Sequence, residues 1–206
     1  MIGDQALGSR RPLRGRLLLA ADGWISGIRK ISSPNFDDRP SDSGAKLPLS
    51  LIVLHNISLP PGYFGGHDIL KLFTNSLNPA AYPPLYPALA RLKVSAHFVI
   101  RRNGRIIQCA SCRQRAWHAG VSQWQARPRC NDFSIGVELE GADHTPYTAR
   151  QYRNLNRLLD CLCRHYPIAA VVGHSVVAPG RKIDPGPAFD PSRLKTPPFV
   201  VVKTTS

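Results

Sequence analysis

No apolar run approaches the roughly 20 residues that a membrane-spanning helix needs. The most apolar stretch near the N-terminus, Leu17 to Ala21, is ended by Asp22 and is shorter than the roughly 7 to 15 apolar residues of a secretory signal. A cytoplasmic protein with no membrane partner is therefore expected. Acidic residues are scarce: 13 Asp and Glu face 27 Lys and Arg, for a formal net charge of +14. That surplus favours anionic partners, but the arginines are scattered and no recognised nucleic-acid-binding motif accompanies them. A solvated basic surface or a small ligand rich in carboxylate or phosphate suits the charge, and no nucleic-acid partner is expected. Cysteine is too sparse and odd in number, at five, for a complete disulfide framework. Cys109 and Cys112 have the spacing of half a zinc site, but Cys161 and Cys163 are wrongly spaced to complete it, so reduced thiols are expected.

What is present is ordinary for a globular protein: 43% hydrophobic and 19% charged residues in 206, enough for one domain with a sizeable core. Residues 1–15 are expected to form a flexible basic extension, 16–200 a single domain, and 201–206 a flexible tail, the whole acting as a monomer. The fold class expected is α/β, a mixed central sheet flanked by helices. Arg16 to Ile28 suggests a short strand pair about Asp22-Gly23, and residues 32–45 have loop composition throughout. Leu49 to His55 is a continuous apolar run of the kind buried on both faces of a sheet. Asp68 to Ser76 suggests a short helix, and Pro79 to Pro87 a loop. Val94 to Ile100 reads as a strand turning at Asn103-Gly104 into Arg105 to Cys109. Asp132 to Gly141 reads as another strand. Thr148 to Tyr166 has helical apolar spacing and a capping box from Thr148 and Gln151.

Several chemically capable side chains fall at strand ends or in loops. His174, Lys182 and Asp184 lie in the segment 171–190, where Pro179, Pro185 and Pro187 exclude a continuous helix, so a loop is expected to carry all three. Neutral imidazole and carboxylate are both good zinc ligands. His55 ends a buried strand, where a ligand role and a satisfied core role are equally open. If His55 and His174 leave neighbouring strands, they and Asp184 make a two-imidazole, one-carboxylate site with an open fourth position, the arrangement of a catalytic zinc. Glu138 and Glu140 share one face of their strand, and either suits the acid or base of a hydrolytic site. Lys182, two residues from a proposed ligand, suits the oxyanion. Trp117 and His118 offer an aromatic platform and a polar contact, or simply cover the core. His97 is expected to be core or supporting rather than a ligand.

Four motifs in order, LHNISLPPGYFGG, AWHAGVSQWQ, CNDFSIGVELEG and GHSVVAPGRKIDPGPAFD, resemble the cytoplasmic AmpD-type N-acetylmuramoyl-L-alanine amidases. These belong to the zinc amidase family that includes T7 lysozyme and peptidoglycan-recognition proteins. The resemblance runs from Asp22 to about Leu194. It implies hydrolysis of the amide between 1,6-anhydro-N-acetylmuramic acid and L-alanine in muropeptides of wall recycling, with an anhydro-muropeptide as substrate. It further implies Zn2+ on His55, His174 and Asp184, with Glu138 as catalytic glutamate in preference to Glu140 and Lys182 as catalytic lysine. Substrate contacts are expected from Asn56, Lys93, Trp117 and Arg129. Lys93 stands where the family has an arginine, keeping the charge but losing the bidentate fork. The alternative is a recognition module of the same fold that binds muropeptide without cutting it; such relatives lack the metal ligands that this chain carries.

Overall fold

The computed structural model describes residues 15–42, 45–198 and 200–204, so the expected basic extension lies almost wholly outside the described residues. The N-terminal part holds short strands: β1 (Arg29–Lys30), β2 (Phe36–Asp38), β3 (Ser41–Asp42) and β4 (Ala45–Lys46). Strand β5 (Leu51–Ile57) leads to helices α1 (Asp68–Phe73) and α2 (Leu85–Leu89), then to β6 (Phe98–Ile100) and β7 (Ile106–Gln108). Strands β8 (Gln114–Ala116), β9 (Gln123–Trp124) and β10 (Arg127–Pro128) precede β11 (Ser134–Glu140). Helix α3 (Ala149–His165), β12 (Ala170–Gly173), α4 (His174–Val177) and β13 (Val201–Lys203) complete the order.

Among the described residues, seven strands form one mixed sheet in the order β1-β7-β6-β11-β5-β12-β13, so the expected α/β class is observed. The centre is parallel: β11 runs alongside both β5 and β6, and β12 alongside β5. Strand β6 turns back antiparallel into β7 through Asn103-Gly104. Gly104 has φ +84°, and a Cβ there would lie 2.9 Å from the Arg150 carbonyl, which is why glycine stands at this turn.

Alternation assigns the faces of the central strands. Ile52 and Leu54 of β5 and Ile135, Val137 and Leu139 of β11 pack with Leu155, Leu158, Leu159 and Leu162 of α3 in one core. Each fully buried leucine stabilises the fold by about 1.5–3 kcal/mol. The start of α3 carries the expected capping box, with Thr148 Oγ1 accepting from the Gln151 amide at 3.1 Å and Gln151 Oε1 accepting from the Thr148 amide at 3.0 Å. On the opposite face, one apolar cluster gathers around α1 and α2 with Val99 and Ile107, and another around Leu51, Val53, Phe133, Val172 and Val177. His55 and Glu138 belong to neither cluster, and this polar gap holds the site described below.

Several local expectations change. The stretch 32–45 contains β2 and β3: Phe36–Asp38 pairs antiparallel with Gln114–Ala116, a partner too distant in sequence to be foreseen, and Ser41–Asp42 pairs with the adjacent Ala45–Lys46. The stretch Pro79 to Pro87 contains a 3-10 turn, Pro79–Ala81, and the start of α2. Asn78 caps the turn by accepting from the Ala80 amide at 3.0 Å, and Tyr86 anchors α2 by burial and by donating its hydroxyl to Asp68 Oδ2 at 2.8 Å. Val201–Lys203, expected in a flexible tail, instead adds the edge strand β13 to β12. All five cysteines are free thiols, as expected. Among the described residues no helix is long and apolar enough to cross a membrane.

Candidate active site

Sheet register brings the first two groups together. Glu138 of β11 lies opposite His55 of β5, and Gly173 of β12 lies opposite Leu54 on the other side of β5. His174 therefore leaves β12 at the level of His55. It does so at the first residue of α4 rather than on a loop. A single helical turn fits between Gly173 and Pro179, while Lys182 and Asp184 follow on the loop. Ser175 N donates to the Asp184 carbonyl at 3.0 Å, folding that loop back over the turn.

His55 Nδ1 is 3.0 Å from His174 Nδ1, and each of these atoms is 3.1 Å from Asp184 Oδ2. The three ligand-capable atoms thus form a nearly equilateral triangle. A tetrahedral ion with bonds of about 2.0–2.1 Å separates its ligand atoms by about 3.3–3.4 Å, close to these sides. The tautomer of His174 points the same way. Its Nε2 is 3.0 Å from the Ala119 carbonyl oxygen, which only accepts, so Nε2 carries the proton and Nδ1 presents a lone pair. That lone pair faces the same small volume as the Asp184 carboxylate oxygen and the second imidazole nitrogen, the orientation a metal ligand needs. Burial, the leading cause, pushes His55 down to about 4, against the raising effect of its contact with Asp184. The imidazole is therefore neutral near pH 7, as a metal ligand must be. The residues present fit a metal ion.

Glu138 is buried, and its Oε2 has no hydrogen-bond partner among the described residues. Burial raises its pKa well above the carboxylate range, the Asp184 charge adds to this, and the Lys182 charge opposes it. A buried, unpaired carboxyl with raised proton affinity beside a metal-capable cluster can accept and return a proton. Glu140, two residues on, is differently occupied. It accepts from the Gly65 amide at 2.7 Å and the Arg102 amide at 2.9 Å, and pairs with Arg101 Nη1 at 3.1 Å. It faces a cavity lined by Arg29, Phe64, Arg101, Arg102 and Arg105 rather than the histidine cluster.

The remaining residues expected in the site are more dispersed. Lys182 is exposed on its loop. Asn56 donates to Asp143 Oδ1 at 2.7 Å and to the Pro185 carbonyl at 3.1 Å, so it holds the residue after Asp184. Trp117 is half-buried and donates from Nε1 to Asp37 at 3.2 Å. Arg129 adopts a left-handed backbone with φ 61° and pairs with Asp132 at 3.1 Å; its side chain, like that of Lys93, is exposed. His97 is fully buried, as its core assignment requires. His118, which sequence left between a ligand contact and core cover, sits with its Nδ1 3.0 Å from His55 Nε2. Its AWHAG motif was the available signal, but only the tertiary structure joins it to His55.

Comparison with known proteins follows the same lines. A sequence model of the N-acetylmuramoyl-L-alanine amidase family matches residues 45–187. The chain is 50% identical over 180 residues to the 1,6-anhydro-N-acetylmuramyl-L-alanine amidase AmpD of Escherichia coli K12, covering 86% of this chain and 96% of that one. It is 44% identical over 171 residues to the protein of that name from Haemophilus influenzae, covering 82% and 90%. Among solved structures, that of a selenomethionine AmpD derivative superposes with a TM-score of 0.79 at 50% identity, covering 85% of this chain and 97% of that chain. The Escherichia coli amidase AmiD, in complex with anhydro-N-acetylmuramic acid-L-Ala-D-gamma-Glu-L-Lys, superposes with a TM-score of 0.55 at 28% identity, covering 75% and 59%.

Proposed function

The chain belongs to the N-acetylmuramoyl-L-alanine amidase family, and from that premise we propose that it is a zinc-dependent amidase of peptidoglycan recycling. It cleaves the amide between the lactyl group of (1,6-anhydro-)N-acetylmuramic acid and L-alanine in muropeptides. The observation that carries this reading is the convergence of His55 Nδ1, His174 Nδ1 and Asp184 Oδ2 within 3.1 Å of one another beside the unpaired Glu138 carboxyl. The 50% identity to relatives named for this reaction supports the substrate assignment.

His55, His174 and Asp184 would hold a zinc ion, which when bound would supply Lewis acidity and bring the pKa of water down towards about 7. Glu138 takes the proton of the attacking water at its carboxylate. It then delivers that proton to the alanine nitrogen as the amide C–N bond breaks, which removes the high-energy amide anion from the path. Lys182 brings positive charge to the oxyanion that develops on the lactyl carbonyl. Lys93 and Arg129 offer charge to stem-peptide carboxylates, and Trp117 a flat apolar surface. Asn56 steadies the Asp184 loop through the Pro185 carbonyl while bordering the substrate. The enzyme acts as a cytoplasmic monomer.

The test is a digest of anhydro-muropeptides and of intact peptidoglycan by the purified protein, with products read by mass spectrometry. Free peptide should appear from the anhydro-muropeptide, vanish after chelation and return with added zinc. Zinc-loaded protein that binds the muropeptide without releasing peptide would replace this reading with the non-catalytic recognition module.

A further inference from the structure

His118 makes the contact that the proposed reaction leaves without a role. Its Nδ1 lies 3.0 Å from His55 Nε2, and its Nε2 lies 3.2 Å from Ser134 Oγ. The two rings meet edge to face, with centroids 5.1 Å apart and planes at 81°. That geometry directs a ring nitrogen of one imidazole at a ring nitrogen of the other. The position of His118 is itself built. Its ring rests on β11 at Gly136, where an added Cβ would lie 2.4 Å from His118 Cγ, so the strand lacks a side chain where the ring needs the space. Asn131 Oδ1 accepts from the backbone amides of both His118, at 3.3 Å, and Ala119, at 2.9 Å. The same Ala119 turns its carbonyl to His174 Nε2. Two consecutive residues therefore meet the outward nitrogens of both histidines in the cluster.

We propose that His118 is a positioning residue that fixes the tautomer and ring angle of His55 for metal binding, with Ser134 as its anchor. The proposal rests on the metal-site reading above. A metal on His55 Nδ1 requires the ring proton on Nε2. His118 Nδ1 accepts that proton's hydrogen bond, which leaves the His118 proton on Nε2 to donate to Ser134 Oγ. The serine hydroxyl accepts readily because its own proton rotates away. The Ala119 carbonyl does the corresponding task for His174, but a carbonyl is a fixed acceptor, whereas His118 is a side chain that substitution can remove. Outer partners of this kind tune metal affinity by about 10–100-fold.

The experiment measures zinc affinity by chelator competition, together with the absorption spectrum of the Co2+-loaded protein, for wild type, His118→Phe, His118→Gln and Gly136→Ala. Phe keeps a ring without an acceptor, and Gln restores an acceptor and a donor. Wild type should bind one zinc, and His118→Phe should bind it about 10–100-fold more weakly with an altered Co2+ spectrum. His118→Gln should recover most of the loss, and Gly136→Ala, which displaces the ring, should resemble Phe. A Phe variant within twofold of wild type, or Phe and Gln variants equally impaired, would overturn the proposal while leaving the metal site standing. A wild type that takes up no zinc would overturn both. If the Phe variant does not fold, Ser134→Ala carries the test: unchanged affinity and an unchanged Co2+ spectrum there would overturn it.

Discussion

Glu138 and His55 are register partners across the parallel strands β11 and β5, so their side chains leave the same face of the sheet from backbones about 4.8 Å apart. Neither can drift from the other without breaking the ladder. The proposed proton carrier is thus set beside the proposed metal by two central, hydrogen-bonded strands of the sheet, whereas Lys182 and Asp184 reach the site from a loop.

Glu138→Gln keeps the shape of the side chain and removes its ability to carry a proton. Turnover of anhydro-muropeptide should fall by at least about 10²–10⁴-fold while zinc content remains that of wild type. Retained turnover with bound zinc would show that another group moves the proton.

Lys182→Ala should lower kcat by about 10²–10³-fold, the usual effect of losing one oxyanion contact. Because the side chain is exposed, the melting temperature should hardly change. A rise in KM with kcat unchanged would assign Lys182 to substrate binding instead.

Glu140→Ala should act on stability rather than on the proton transfer. It removes the buried acceptor of two backbone amides and leaves Arg101 uncompensated, a defect worth about 3–5 kcal/mol. Urea unfolding of the zinc-loaded protein measures it. A neutral result would mean that Arg101 relaxes to solvent without cost.

His97 should make the fold acid-sensitive. Its Nδ1 accepts from the Gly136 amide at 3.0 Å, which leaves the Nε2 proton to donate to the Gln114 carbonyl at 3.0 Å. Burial, aided by the nearby Arg39 charge, pushes it down to about 3. In the unfolded chain it titrates near about 6.5, so below that pH the unfolded state binds the extra proton. Its contribution is complete above about pH 6.5 and is lost progressively towards pH 3. Urea midpoints should fall across this window, and the fall should be shallower in His97→Gln. An identical pH profile in the variant would reject the assignment.

Elements whose signals are local were legible in the chain. The capping box at Thr148 and Gln151, the apolar run of β5 and the turn at Asn103-Gly104 depend on neighbours a few residues away, so periodicity and turn chemistry reveal them. The strand at Phe36–Asp38 and the edge strand at Val201–Lys203 were not, because each exists only through a partner elsewhere in the chain; Ser41–Asp42 pairs with the nearby Ala45–Lys46, but its polar residues carry no strand signal. His55, His174 and Asp184 were legible as donors of the right kind, and the motif resemblance grouped them. Residue types alone say nothing of three donor atoms meeting within 3.1 Å. Glu138 and Glu140 are the clearest case. Strand alternation puts both on one face and leaves them equivalent. The packed structure separates them, because Arg101 and two backbone amides occupy Glu140, while Glu138 is left buried and unpaired beside the histidines. Sequence determined which groups were available and which face they share; long-range packing decided which carboxyl is neutralised by partners and which is left buried without one.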